Sequence, residues 1–219
     1  MINIELTKRI LSSLILIPIA LFFILEGSFL FIFFLLICFL ITAYEWHMMS
    51  RKKSYYLLGF FFLFISFYSA YEIRMSMVGN YEYFLIILFI CISTDIGGYI
   101  FGKIFKGPKL TKISPKKTYS GVIGGYLLSI IILNLLLSSN HFLTKPIQIS
   151  SDIFIFILFI STVSQLGDIT ISYFKRLSKM KDTGKIIPGH GGLLDRIDGM
   201  IFAYPFSLLI FKTNIFQYF

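Results

Sequence analysis

Apolar residues fall in long blocks along this chain, and the polar residues gather between them. Seven blocks qualify as membrane-crossing helices, which need roughly 20 mainly apolar residues. They are 10–25, 28–49, 55–71, 83–101, 119–138, 152–174 and 194–211. Pro18 falls inside the first, where a membrane helix tolerates a kink. Glu26-Gly27-Ser28 reads as a tight turn into the second. The first block does not read as a cleavable leader: Lys8 and Arg9 precede it, but no small-residue cleavage site follows. The pattern predicts an all-α polytopic integral membrane protein with about seven transmembrane helices. It reads as one integral membrane domain over 1–219, with hydrophobic N-terminal helices in 1–80 and the polar motifs in the helices and loops of 81–219.

Composition agrees. Apolar residues make up 57% and charged residues 14%, against about 45–50% and about 25% in a soluble domain. Mean hydropathy is +0.83. These values exclude a soluble globular domain, a disordered chain and an open basic face for nucleic acid. The net charge of +9 is unevenly spread. Seventeen of the 20 Lys and Arg lie in the N-terminus and the second, fourth and sixth loops; Arg74, Lys145 and Lys212 lie on the other side. The positive-inside rule then places the N-terminus and those loops in the cytoplasm, with the chain integral to the cell (inner) membrane. Tyr44, Trp46 and His47 end the second block as an interfacial aromatic belt. Cys38 and Cys91, both in apolar runs, read as buried free thiols. No internal repeat or inverted pair of halves is visible.

The spans leave a few residues unexplained. Asp95 and Asp168 sit deep in apolar blocks. A charge in lipid costs about 2.5–3.5 kcal/mol even on lenient insertion scales, so both must face a partner or a polar cavity. Gln165, Asp168, Ser172 and Lys175 follow helical spacing and share one face. The stripe predicts a polar cavity open to the cytoplasm, where the plainer reading is hydrogen bonding to a neighbouring helix.

The sixth loop is densest. Lys175, Arg176 and Lys181 supply cations for phosphate oxygens. Gly189, Gly191 and Gly192 would let backbone N–H groups approach an anion at the start of the last helix. Asp195 and Asp198, at i and i+3, are spaced to share a hard cation such as Mg²⁺. Together these suggest metal-bridged phosphate chemistry. His190 stands between glycines without a second histidine at ligand spacing, so it reads as orienting or phosphate-contacting, or as a structural hydrogen bond, rather than as a zinc ligand. The fourth loop repeats the theme with Lys109, Lys112, Ser114-Pro115-Lys116-Lys117-Thr118 and then Gly121, Gly124 and Gly125. Its plain reading is a positive-inside anchor followed by small residues for helix packing.

Ser172 through Asp198 resembles, without a mismatch, the signature of the phosphatidate cytidylyltransferase (CDP-diacylglycerol synthase) family. Asp95 in Thr94-Asp95-Ile96-Gly97-Gly98-Tyr99 and the run Ser114-Pro115-Lys116-Lys117-Thr118 also look like family motifs, and Tyr44-Glu45-Trp46 matches loosely. Two features depart from the pattern: Tyr119-Ser120 stands where the family has Trp-Glu, and the chain is short for the family. The resemblance implies transfer of CMP from CTP to phosphatidic acid, giving CDP-diacylglycerol and pyrophosphate, with a divalent cation and a homodimer. Under it, Asp195 and Asp198 would hold Mg²⁺, with Asp168 and Asp182 or Asp95 completing a second cation or positioning site. Lys175, Arg176, Lys181 and Arg196 would grip phosphates, Gly191 and Gly192 would give backbone donors, and Ser172, Ser114, Lys116, Lys117 and Thr118 are placed to contact nucleotide or lipid phosphate.

Two rivals stand beside this reading, the first from another class. A cation-coupled membrane transporter would use Asp95 and Asp168 as its ion path, and it has little need for a basic glycine loop. A CDP-alcohol phosphotransferase wants Asp-Gly, two residues and Ala-Arg, which Asp195-Arg196-Ile197-Asp198-Gly199 does not supply.

Overall fold

In an apolar medium each backbone N–H and C=O must find its partner within the chain, so long apolar runs become helices. The computed structural model of the protein describes residues 4–75, 81–138, 150–189 and 191–213. Eight helices follow in order among them: α1 Ile4–Glu26, α2 Ser28–Ser50, α3 Tyr56–Met75, α4 Tyr81–Phe105, α5 Tyr119–Ser138, α6 Ser151–Leu177, α7 Leu194–Ile197 and α8 Met200–Thr213. Five of them, α2 to α6, are long and apolar enough to cross a membrane, and Leu14–Glu26 and Met200–Thr213 are shorter apolar helices. The chain is an all-helical, polytopic membrane protein.

Most helices run past the ends of their apolar blocks, because backbone hydrogen bonding does not stop where the hydrocarbon does, and α5 matches its block. The last block differs. In place of one helix over 194–211, α7 stops after a single turn and α8 restarts at Met200. Between them the Asp198 carboxylate accepts from Gly199 N at 2.9 Å. Pro205 inside α8 has no N–H to give the Ile201 carbonyl one turn back. Ser66 Oγ of α3 donates to that carbonyl at 2.6 Å instead.

Three local devices set the packing. Gly27, at φ 66, turns α1 into α2. Arg74 of α3 reaches back to cap α1, donating from Nε to Ile24 O at 2.7 Å and from its terminal nitrogen to Leu25 O at 3.1 Å. One of the three cations outside the basic loops thus has a structural task. The α4–α5 pair is the second device: a Cβ at Gly121 would lie 2.7 Å from Gly98 O, so the two backbones touch as small-residue membrane interfaces do. Ser150 caps α6 by accepting from Ile153 N, and Asp152 in the first turn complements the dipole.

A main apolar core built around Phe31, Ile87, Ile90, Leu133, Phe156 and Ile160 fills the bundle. A second core, with Trp46, Met49, Leu63, Ile171 and Leu194, lies beneath the basic loops. The expected aromatic belt is corrected here. Tyr44 is 59% exposed, but Trp46 is buried, donates to Tyr56 O at 3.0 Å and meets Phe174 edge-on. The basic loops gather at one end of the bundle, where Ser12 meets Pro188, Tyr55 meets Ser178 and Lys117 meets Asp168. His141, Lys145 and His190 lie outside the described residues.

Candidate active site

The α6 stripe does bring polar groups together. Ser172 Oγ donates to Asp168 Oδ1 at 3.3 Å, one turn away. Lys117, from the fourth loop just before α5, places Nζ 2.5 Å from Asp168 Oδ2 and 3.4 Å from Gln165 O. Both members of this ion pair are about a quarter exposed, at 23% and 28%. Asp95 on α4 is exposed at the bundle surface, and its electrostatic neighbours are Asp168, Lys117 and Arg196. Asp198, buried between α7 and α8, feels Asp168, Asp95 and Lys175. The carboxylates of Asp95 on α4, Asp168 on α6 and Asp198 at the α7–α8 junction are thus electrostatic neighbours, with Lys117, Lys175 and Arg196 as the nearby cations.

Lys175 ends the stripe differently. Its Nζ lies 2.8 Å from Asp195 Oδ1, in a pair whose side chains are only 11% and 6% exposed. The other Asp195 oxygen accepts from Thr183 N at 2.8 Å and Gly192 N at 3.1 Å. In this structure Asp195 holds Lys175 and the loop, while Asp198 has Asp168, Asp95 and Lys175 as electrostatic neighbours. Lys175 is buried and ion-paired with Asp195 in this structure.

The anion at the start of the last helix is also not what the spacing suggests. Gly191, at φ 90, closes a tight hairpin in which its N–H donates to Ile187 O at 3.2 Å and its carbonyl accepts from Ile187 N at 3.0 Å. Gly192 N–H is taken by Asp195. Neither glycine therefore offers the N–H expected for a phosphate. The next two donors, Leu193 N and Leu194 N, go to Glu45 Oε1 at 2.9 Å and Oε2 at 2.8 Å. Thr183 Oγ1 donates to the same Oε2 at 3.1 Å. Glu45, 1% exposed, was named in the sequence only within Tyr44-Glu45-Trp46 and was given no role there. Its signal was a lone carboxylate inside an apolar block.

The remaining residues sit at the rim. Lys181, Asp182 and Arg196 are exposed. Arg176 is exposed and donates to Met180 O at 3.2 Å. Ser114 and Lys117 form a turn, Lys117 N to Ser114 O at 3.0 Å, and Lys116 projects from it, exposed. Thr118 Oγ1 pairs with Ser120 Oγ at 3.0 Å, and Ser120 also donates to Lys106 O. At the position where the family pattern has an acid, Ser120 thus ties down the fourth loop. An open cleft of about 470 Å³, lined by Lys109, Leu110, Thr111, Lys112 and Pro115, flanks that loop.

By donor type Asp95, Asp168 and Asp198 offer the hard carboxylate oxygens a divalent cation takes, from three elements. Asp195 lies beside them in sequence and is held in this structure by Lys175, Thr183 N and Gly192 N. Among the described residues no three acidic, histidine or cysteine groups close around a single point as they stand. The centre is therefore a concentration of negative charge rather than a finished coordination shell.

Comparison with known proteins bears on this geometry. The chain matches the model of the Cytidylyltransferase family over residues 54–214. A protein of Rickettsia bellii named phosphatidate cytidylyltransferase is 37% identical over 208 residues, covering 92% of this chain and 89% of that protein. One of the same name from Rickettsia conorii is 36% identical over 214 residues, covering 95% and 90%. A third, from Haemophilus influenzae, is 42% identical over 129 residues, covering 57% and 44%. With its signature, its helical membrane architecture and these matches, the chain belongs to the phosphatidate cytidylyltransferase family.

Proposed function

We propose that the protein transfers CMP from CTP to phosphatidic acid, giving CDP-diacylglycerol and pyrophosphate. A phosphate oxygen of phosphatidic acid attacks the α-phosphorus of CTP. The new oxygen–phosphorus bond forms as the bond to the bridging oxygen of the β-phosphate breaks, and pyrophosphate leaves with the electron pair. Both reactants are polyanions, so the protein must offset their repulsion and hold them in line. The observation that carries this reading is the Lys117–Asp168 pair. It sets a cation and an acid at the polar end of an apolar bundle, between two basic loops. An aqueous nucleotide and a headgroup in the leaflet can meet there.

Lys117 and Arg196 flank the acid centre and are the cations for the reacting phosphates; Lys181, Arg176 and Lys116 extend the positive field to the rim. Ser172 orients Asp168. No protein nucleophile takes part. Asp95, Asp168 and Asp198 would hold Mg²⁺, which when bound would screen phosphate oxygens and favour departure of pyrophosphate. The reading includes seven membrane crossings, with α1 and the α7–α8 unit completing the five long helices, and the basic loops on the cytoplasmic side of the inner membrane. It also keeps the homodimer that the family resemblance implies.

The test is to incubate purified, folded protein in detergent with labelled CTP, phosphatidic acid and Mg²⁺. Labelled lipid is the expected product; a folded sample that makes none refutes the reading.

A further inference from the structure

We propose that Glu45 is a positioning residue for this reaction, a built-in anion that grips the sixth loop at Thr183, Leu193 and Leu194 and so fixes the placement of the loop's cations toward the substrates. The proposal rests on the cytidylyl-transfer reading above. Glu45 lies on α2, outside the 54–214 segment that matches the family model. It nonetheless accepts three hydrogen bonds from the loop. Oε1 accepts from Leu193 N, and Oε2 accepts from Leu194 N and Thr183 Oγ1. Thr183 is held from its other side by Asp195, through its backbone N–H. The two carboxylates thus grip one buried threonine, and Asp195 in turn fixes Lys175.

The loop is shaped around this carboxylate. A Cβ at Gly184 would lie 2.8 Å from Glu45 Oε1, and one at Gly192 would lie 2.6 Å from Oε2. Both positions need glycine for the acid to nest. A buried anion bonded to backbone N–H groups at a helix start is a strong, charge-assisted contact. It is also chemically selective. Each Glu45 oxygen faces a backbone donor, so an amide would have to turn its NH₂ group against one of them. An aspartate, one methylene shorter, cannot reach both. Outside the lock, Lys181, Lys185 and Arg196 are exposed on the same segment. Their position relative to Asp168 and Asp198 depends on the loop keeping its shape.

The test uses the full-length protein purified in detergent and compares the parent with Glu45→Gln, Glu45→Asp and Gly184→Ala. Two readouts run in parallel: kinetics with CTP and phosphatidic acid, and the rate of tryptic cleavage at Lys179, Lys181 and Lys185. For Glu45→Gln, kcat is expected to fall about tenfold or more and the KM for CTP to rise, while the KM for phosphatidic acid holds. Tryptic cleavage of the loop should accelerate at least about tenfold, with the global melting temperature within about 3 °C of the parent. Gly184→Ala should reproduce both changes. Glu45→Gln with the parent's kcat and the parent's cleavage rate overturns the lock. A loss of activity that follows a collapse in melting temperature, with loop cleavage unchanged, assigns Glu45 to the scaffold and also overturns it. Failure of the underlying reading looks different: the parent itself makes no lipid product, while Glu45→Gln still exposes the loop to trypsin.

Discussion

Lys117 Nζ stands 2.5 Å from Asp168 Oδ2, joining the fourth loop to the middle of the polar stripe on α6. The two ends of this contact come from different motifs, Lys117 just before α5 and Asp168 within α6. The pair is about a quarter exposed, so it contributes little to folding, about 0–1 kcal/mol. Lys117→Met is therefore expected to leave stability within about 1 kcal/mol of the parent and to cut turnover by about a hundredfold or more. Thermal unfolding and product formation measured on the same sample check this. Turnover close to the parent's would remove Lys117 from the substrate site.

The Lys175–Asp195 pair should behave in the opposite way. It is nearly buried, and removing one partner leaves the other charge without compensation. Lys175→Met is expected to destabilise the protein by about 3 kcal/mol or more, measured by thermal unfolding in detergent. Equal stability losses for Lys117→Met and Lys175→Met would contradict the division between a catalytic-side pair and a structural pair.

Ser66 and Pro205 make a prediction about the fold alone. The Ile201 carbonyl accepts from Ser66 because Pro205 has no N–H. Ser66→Ala should cost about 1–2 kcal/mol by leaving a buried acceptor unmatched. Pro205→Ala in the Ser66→Ala background should restore part of that loss by returning an N–H to the helix. A double variant no more stable than Ser66→Ala would show that the carbonyl finds no help from residue 205.

How much of this was legible beforehand depends on the range of the interaction. The α6 stripe could be read because helical spacing alone puts Gln165, Asp168 and Ser172 on one face. The helix positions could be read because apolar length decides them. The partner of Asp168 could not, since nothing local says that Lys117 rather than Lys116 reaches it. Nor could the role of Glu45, whose contact with Leu193 spans 148 positions. The glycines of the sixth loop illustrate the same limit. Their spacing marks a backbone that turns sharply, but only the fold reveals that Asp195, Ile187 and Glu45 occupy the donors expected for phosphate. The break at Asp198 and Gly199 was hidden because the residues around it are apolar enough to continue a helix.

Metal dependence follows from the three-carboxylate centre. Chelation should abolish turnover and Mg²⁺ should restore it. Asp198→Asn should raise the Mg²⁺ concentration for half-maximal rate or abolish turnover, without unfolding the protein, whereas Asp182→Asn at the exposed rim should change that concentration much less. A chelator-indifferent rate, or an Asp198→Asn variant with the parent's Mg²⁺ response, would contradict this assignment.

The most direct measurement of the central claim follows phosphorus label through the reaction. Purified protein in lipid–detergent micelles containing phosphatidic acid is given CTP labelled either at the α-phosphorus or at the γ-phosphorus. The account predicts that α-label moves into a CDP-linked lipid while γ-label leaves in pyrophosphate, one for one. Label that stays in the aqueous nucleotide in both cases, with the protein folded and Mg²⁺ present, would contradict it.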